Sequence, residues 1–214
     1  NDQAIEIERM NGLLINLSDD PRAGLAGGLY TAEEAISNLE LIASLRKPVG
    51  FYDPKNPAMK AARNDTDDDE VKSVEEASRN TRSPMLSFSN TDMAFKDDVM
   101  VAGSYHGFNI YKLAENGVPS LISSVICPGG QGDVSIVENL LIMSVQDTRG
   151  RLDCGLQGVG SEPSPERFRG IRIFDISNLA MPIQVGAVQT CRGSHTHSVV
   201  SGPDENGLIV VYNS

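Results

Sequence analysis

The chain has 214 residues and a formal net charge of −11, from 29 acidic and 18 basic residues. This excess of carboxylates disfavours a nucleic-acid partner, because phosphate binding needs clustered lysine and arginine. No run of about 18 apolar residues occurs, so the sequence predicts no membrane-spanning helix. The first residues, "NDQAIEIERM", lack an initiating methionine and a secretory signal pattern. We interpret them as a processed or truncated end.

Residues 1–85 are predicted to form an irregular N-terminal arm. Thr31 and Glu34 have capping-box spacing, which predicts a short helix from about residue 31. The run "NLELIASL" then alternates apolar and polar residues, which favours a strand after that helix. Residues 46–84 are rich in proline, asparagine and charge and indicate a long connection. The acidic run "DTDDDE" lacks the glycine and distal glutamate of an EF-hand loop, so a solvated acidic linker is favoured over a calcium site.

From residue 86 onward the sequence predicts an all-β fold. Short runs rich in branched and aromatic residues are separated by glycine, asparagine and aspartate, and no convincing helix pattern remains. The strand-length runs are "VMVAGSY", "FNIYKL", "SLISSVI", "LLIMSVQ", "IRIFDI", "IQVGAVQ" and "LIVVYN".

These runs belong to an internal repeat. Residues 107–133, "GFNIYKLAENGVPSLISSVICPGGQGD", align with residues 170–197, "GIRIFDISNLAMPIQVGAVQTCRGSHTH". The alignment has no gap from Gly107 and Gly170 to Pro119 and Pro182, and one inserted residue brings the following cysteines together. Asp92, Asp133 and His197 become equivalent positions, and the first two lie 41 positions apart. That spacing is typical of a four-stranded blade of a β-propeller.

The second repeat also resembles a known family. "GIRIFDISNLAMPIQVGAV" is similar to the motif of the LVIVD-repeat proteins, which are predicted β-propellers of bacterial and archaeal cell surfaces. The resemblance covers residues 87–214, and "NLELIASLRKP" (38–48) is similar to an outer strand of the same repeat. The first repeat departs from the motif, because Lys112 stands where the second has Asp175. The resemblance implies a fold and an extracytoplasmic location, and it assigns no catalytic residue.

The repeats predict a partial propeller of about two and a half blades after the arm. Blade 1 is expected at about residues 87–127, blade 2 at about 131–191, and an incomplete blade 3 at about 195–214. A closed propeller needs at least four blades. We therefore expect either further sequence in a longer protein or further chains that complete the propeller.

The three cysteines contain no CxxC pair, which argues against a thiolate zinc site. Cys154 lies in a long insertion, and Cys127 and Cys191 lie where their strands end. A disulfide from Cys154 to either of them would pin the insertion and indicate an extracytoplasmic protein. Three isolated thiols in a cytoplasmic protein remain the alternative.

The insertion, residues 147–169, is also rich in arginine. With His106 on the same face it forms a candidate site for a carboxylate or phosphate ligand. Salt bridges to the protein's own acidic residues are the favoured alternative. The candidate ligand-binding residues are Arg149, Arg151, Arg167, Arg169 and His106.

A ring around the propeller axis provides a candidate metal site. His195 and His197 are two residues apart, a spacing that places both imidazoles on one face of a strand. With Asp133 and Asp92 they form a mixed set of ligands that suits a divalent transition metal. The favoured alternative is structural, with the aspartates accepting backbone N–H groups between blades.

Two classes of function follow. The first is an extracytoplasmic scaffold or recognition module that binds a protein or cell-surface partner through its loop-bearing face. The second is a metal-dependent enzyme with a His and Asp site at the channel mouth. The first is favoured, because no arrangement of nucleophile, base and orienting group is visible.

Overall fold

The computed structural model describes residues 20–55, 88–160 and 162–214. They fall in two compact units, Asn1–Ser44 and Leu45–Ser214. The acidic run predicted as a linker, residues 65–70, lies outside the described residues.

In the first unit, the helix predicted from Thr31 is wrong, and the strand predicted from residue 38 does not form within the described residues. Glu33 instead closes a loop with Ala26: its backbone N–H donates to the carbonyl oxygen of Ala26 at 2.9 Å, and its carboxylate accepts from the N–H of Ala26. Leu39 is 83% exposed. A helix this short is marginal without an apolar surface to pack against.

The second unit contains ten β-strands and, in its described residues, no helix. The strands are β1 (Asn90–Lys96), β2 (Val99–Ser104), β3 (Gly107–Leu113), β4 (Pro119–Ile126), β5 (Val134–Val137), β6 (Leu140–Val145), β7 (Gly170–Asp175), β8 (Ile183–Gln189), β9 (His197–Ser201) and β10 (Val210–Asn213). They form sheets in the orders β1-β2-β3-β4, β5-β6-β7-β8 and β9-β10, and every pairing is antiparallel. The predicted all-β fold with four-stranded antiparallel sheets is confirmed.

The two four-stranded sheets share the register expected from the repeat. Gly107 lies opposite Ser104, and Gly170 lies opposite Val145. The β3–β4 ladder shifts register after Ile110, and the β7–β8 ladder shifts after Ile173, which is the equivalent residue. Equivalent residues therefore have equivalent backbone pairing down to the position of the irregularity.

The apolar core lies between the two four-stranded sheets. Phe108 of β3 and Phe174 of β7 contact edge to face, with ring centroids 5.0 Å apart. Val101, Leu141 and Met143 are fully buried in the same cluster. The other face of the second sheet packs against the two-stranded sheet. Its buried residues there are Val137, Ile142 and Ile171, and Val199, Ile209 and Val211 pack against them. The second sheet is thus covered on both faces, and β6 is accordingly almost entirely buried.

Residues 45–55 belong to the unit that contains the sheets. Phe51 is fully buried and contacts His106, and the Lys47 ammonium donates to the carbonyl oxygen of Phe88 at 2.7 Å. These contacts explain why the compact unit begins at Leu45, well before the composition changes at residue 86.

Candidate functional site

The connections β2–β3, β4–β5, β6–β7 and β8–β9 all leave one end of the sheets, which we call the loop end. It comprises residues 105–106, 127–133, 146–169 and 190–196. Antiparallel strands require this arrangement, because alternate connections return to the same edge of a sheet. The β6–β7 connection is by far the longest of the four.

A disulfide between Cys127 and Cys154 pins the long connection. Their Cα atoms are 4.4 Å apart, and Cys127 is fully buried beneath the loop. The predicted bond from Cys154 is confirmed, and Cys127 is its partner. Cys191, the repeat equivalent of Cys127, is an exposed free thiol.

A buried arginine also holds the β6–β7 connection in place. Arg172 of β7 has no exposed surface, and its guanidinium donates to the carbonyl oxygens of Cys127 and Pro128 at 3.3 Å and of Arg151. It also lies 5.5 Å from the ring centroid of Phe168. Burial lowers the pKa of Arg172 to about 10. Sequence reasoning missed this residue, although an arginine in an otherwise apolar strand of the repeat was a signal for it.

Arg151, one of the predicted ligand-binding arginines, is neutralised by the loop itself. Its guanidinium pairs with Asp153 at 2.7 Å and with Glu166. Those hydrogen bonds raise the pKa of Arg151 and lower the pKa of Asp153. Arg151 thus forms salt bridges to the protein's own acidic residues, which was the favoured alternative.

The other three predicted arginines donate to backbone carbonyls. Arg149 donates to Gln157 at 3.3 Å, Arg167 donates to Glu162 at 2.8 Å and to Gly160, and Arg169 donates to Cys191 at 3.5 Å. The Nε atoms of Arg167 and Arg169 are buried without a hydrogen-bond partner. Arg149 and Arg167 thus hold the backbone of their own loop, and Arg169 joins the loop to the β8–β9 connection.

His106, the fifth predicted ligand-binding residue, packs against two aromatic rings. Its ring centroid lies 5.8 Å from that of Phe51 and 4.8 Å from that of Phe88. The half-buried imidazole therefore helps to attach residues 45–55 to the first sheet.

The two neighbouring histidines have different environments. His195 precedes β9, is exposed, and places Nδ1 2.5 Å from Oε1 of Gln146. His197 begins β9, is buried, and places Nδ1 2.8 Å from Oγ of Ser144. The two imidazoles therefore differ in burial, and their partners Gln146 and Ser144 are themselves two residues apart.

Around His197 a buried network joins the second sheet to β9. Ser144 Oγ lies 2.9 Å from Ser194 Oγ, and Ser194 donates to the carbonyl oxygen of Thr196 at 3.2 Å. Nε2 of His197 is buried without a hydrogen-bond partner. Burial lowers the pKa of His197, and the charges of Asp133 and Asp92 partly oppose that shift.

Asp92 takes the structural role that was the alternative to metal binding. Its carboxylate accepts the backbone N–H of Val134 at 3.2 Å and so links β1 to the first residue of β5. The backbone carbonyl of Asp133 accepts the N–H of Ser144 at 2.9 Å. Within residues 20–55, 88–160 and 162–214, no group of three or more His, Cys, Asp or Glu side chains is placed to hold a metal ion.

A cavity of about 210 Å³ lies at the opposite end of the two four-stranded sheets. Lys96 spans part of it by donating to the carbonyl oxygen of Glu138 at 2.8 Å, and Asp98 pairs with Lys112 at 3.0 Å. Lys96 and Asp98, two of the charged residues that line it, are thus already engaged. Among the described residues no helix is long and apolar enough to cross a membrane.

Comparisons with known proteins give little further information. No family model matches the chain, and no curated protein matches it. Among solved structures, the chain is similar to the computationally designed Ika4 protein, with 11% identity over 58% of this chain and 91% of that chain. The TM-score is 0.29.

Proposed function

We propose that the protein is an extracytoplasmic β-propeller module of the LVIVD-repeat type, and that it recognises a protein or cell-surface partner through its loop end. The observation that carries the proposal is the β6–β7 connection, a long loop held by the Cys127–Cys154 disulfide and the buried Arg172. A rigid loop presented by a sheet scaffold is a frequent design for binding surfaces.

The propeller part of this proposal rests on repetition. Two sheets with the same strand order and the same register irregularity share one core, and the second sheet packs on its other face against the start of a third. Stacking of successive four-stranded sheets is the defining feature of propeller blades. The LVIVD-like motif at residues 170–188 supports the same assignment.

The recognition part rests on the chemistry of the loop. Its arginines are occupied by acids and backbone carbonyls of the protein itself, whereas Leu152 and Leu156 remain exposed, the latter at 64%. Because the loop is already ordered, binding through these leucines would cost little conformational entropy. A protein surface is the partner that such aliphatic contacts suit.

The location rests on the disulfide. A structural disulfide forms and persists in oxidising compartments and is rare in the reducing cytosol. A thiol titration of denatured protein purified without reductant tests this point: one thiol is expected before reduction and three after it, and three thiols before reduction would contradict the location.

The binding proposal is tested with Leu152→Ser and Leu156→Ser combined, by measuring how much fluorescently labelled protein binds to intact cells of the encoding organism. We expect at least a ten-fold loss of binding relative to the wild type. Met181→Ser is the matched control, because Met181 is 64% exposed at the opposite end of the same sheet. Equal binding by both variants, or no binding by the wild type, would refute recognition through the loop end.

One observation favours a metal-dependent enzyme as the second candidate. The unpartnered Nε2 of His197 could offer its lone pair to a divalent metal. Elemental analysis of the purified protein tests this: a stoichiometric metal in the wild type that is absent from the His195→Ala, His197→Ala double variant would favour the enzyme. Altered stability without a change in metal content would favour the structural role.

A further inference from the structure

The cavity opposite the loop end is formed by turns of both four-stranded sheets. It has a volume of about 210 Å³, and all of its lining residues lie within residues 96–99, 136–139 and 176–179. These ranges contain the β1–β2 turn, the β5–β6 turn and the start of the β7–β8 connection. The cavity therefore lies where the two sheets meet.

The inner wall of the cavity is apolar. Ile176 belongs to the core cluster between the sheets, and Val99, Ile136 and Leu179 pack against the same cluster. A ligand with an apolar part would cover these side chains and extend the core. Removal of that surface from water favours binding.

The exposed mouth of the cavity carries an excess of carboxylates. Asp97, Asp98 and Glu138 line it together with a single ammonium group, that of Lys96. Asp98 pairs with Lys112 at 3.0 Å. Within the described residues, the carboxylates of Asp97 and Glu138 take part in no ion pair or hydrogen bond. The charge left unpaired at the mouth is thus negative, and it is complementary to a cation.

The two unpaired carboxylates occupy equivalent positions of the repeat. Asp97 and Glu138 lie 41 positions apart, and their φ angles are 52° and 51°. Each is the first residue of a two-residue turn, so each sheet presents one carboxylate to the same cavity. Lys96 shows that an alkylammonium group fits between the two turns, because its Nζ donates to the backbone carbonyl oxygen of Glu138 at 2.8 Å.

We propose that this cavity binds a short aliphatic amine, with the alkyl chain against the apolar wall and the ammonium group between the carboxylates of Asp97 and Glu138. Pockets for drug-sized ligands usually have roughly 300 Å³ or more. A cavity of about 210 Å³ therefore suits a small molecule with a short chain. An anion would be repelled at the mouth, and a neutral ligand would leave both carboxylates without a partner.

The test compares ligands that carry the alkyl chain and the charge together or separately. The 214-residue protein is titrated with pentylammonium, 1-pentanol and methylammonium at low ionic strength. Binding is followed by NMR at the backbone amides of residues 96–99 and 136–139. Pentylammonium is expected to bind roughly ten-fold more tightly than either of the others, because 1-pentanol lacks the ion pairs and methylammonium lacks the buried chain.

Two charge-matched variants connect the binding to the two carboxylates. The double variant Asp97→Asn, Glu138→Gln should weaken pentylammonium binding roughly ten-fold and leave 1-pentanol binding unchanged. Asparagine preserves the first turn, since it tolerates positive φ. The control is the double variant Glu115→Gln, Glu205→Gln, which removes the same charge from exposed residues that do not line the cavity.

Three results would overturn the inference: no shift of these amides with pentylammonium, equal binding of 1-pentanol and pentylammonium, or an equal loss of binding in the control variant. Nα-acetyl-lysine amide carries a similar ammonium chain on a peptide backbone. If it bound more tightly than pentylammonium, the assignment to a free amine would be wrong. Cell binding through Leu152 and Leu156 does not depend on this cavity, so the two proposals fail separately.

Discussion

The two four-stranded sheets are built from the same repeat but differ in the connection between their second and third strands. In the first sheet β2 and β3 are joined by Tyr105 and His106 alone. In the second, residues 146–169 make the same connection. The register of the flanking strands is the same in both sheets, so the repeat tolerates a long insertion at this position without a change in the ladder.

The difference shows what an insertion needs in order to stay ordered. Asn109 of β3 is buried, and its side chain accepts from Ser124 of β4 at 2.7 Å. The equivalent Arg172 is longer, and it reaches the carbonyls of the β4–β5 connection and of the insertion. Together with Cys154 it attaches the long loop to the strands that both repeats share.

The strongest test of the shared framework is Gly170→Ala. Gly170 has φ +148°, and an added Cβ would lie 2.0 Å from the carbonyl oxygen of Val188. We expect the free energy of unfolding to fall by roughly 4 kcal/mol, since both strain and a backbone clash are introduced. Chemical denaturation measures it. Gly186→Ala is the control, because its nearest contact would be an ordinary 3.6 Å, and an equal loss in both variants would contradict the explanation.

Removal of the disulfide separates the insertion from the framework. Cys154→Ser should lower the free energy of unfolding by roughly 3 kcal/mol, because the bond closes a loop with a sequence separation of 27 residues. It should also increase proteolysis within residues 146–169. Cys191→Ser is the matched control, since that thiol is free. Unchanged proteolysis in the Cys154 variant would mean that other contacts hold the loop.

Replacement of the equivalent buried polar residues compares the two sheets directly. Arg172→Met should cost about 2 kcal/mol, because carbonyl oxygens of two connections lose their donor. Asn109→Ala should cost about 1 kcal/mol, since it loses one side-chain hydrogen bond. Thermal and urea denaturation of the two variants provide the comparison. A larger loss of unfolding free energy in Asn109→Ala than in Arg172→Met would contradict the role of Arg172 in supporting the insertion.

The smallest expected effect concerns the contact between the second sheet and β9. Burial lowers the pKa of His197 in the folded protein, so the unfolded protein binds a proton more readily. The stability from neutral His197 is present above the unfolded value of about 6.5 and is lost as the pH falls below it. Denaturation between pH 7 and pH 5 should show this decrease in the wild type and in the exposed control His195→Gln. The decrease should be reduced in His197→Gln.

Much of the architecture could be predicted because it is local and repeated. The aligned glycines, prolines and apolar residues of 107–119 and 170–182 specified the strands, their turns and two equivalent sheets, and the structure has them in that register. The positions of the cysteines in the sequence limited the disulfide of Cys154 to two partners, Cys127 and Cys191. By contrast, the helix at Thr31 failed because its capping signal had no apolar surface to stabilise it.

The candidate site depended on contacts that sequence spacing does not encode. Sequence alone determined the all-β repeat, the acidic character and the concentration of arginine in one insertion, since these follow from composition and from short-range patterns. The tertiary structure decided that Cys127 rather than Cys191 bonds Cys154, and that the arginines bind acids and carbonyls of the protein itself. It also gave His195 and His197 different environments. Each of these outcomes depends on which distant groups a folded connection brings within hydrogen-bonding or bonding distance.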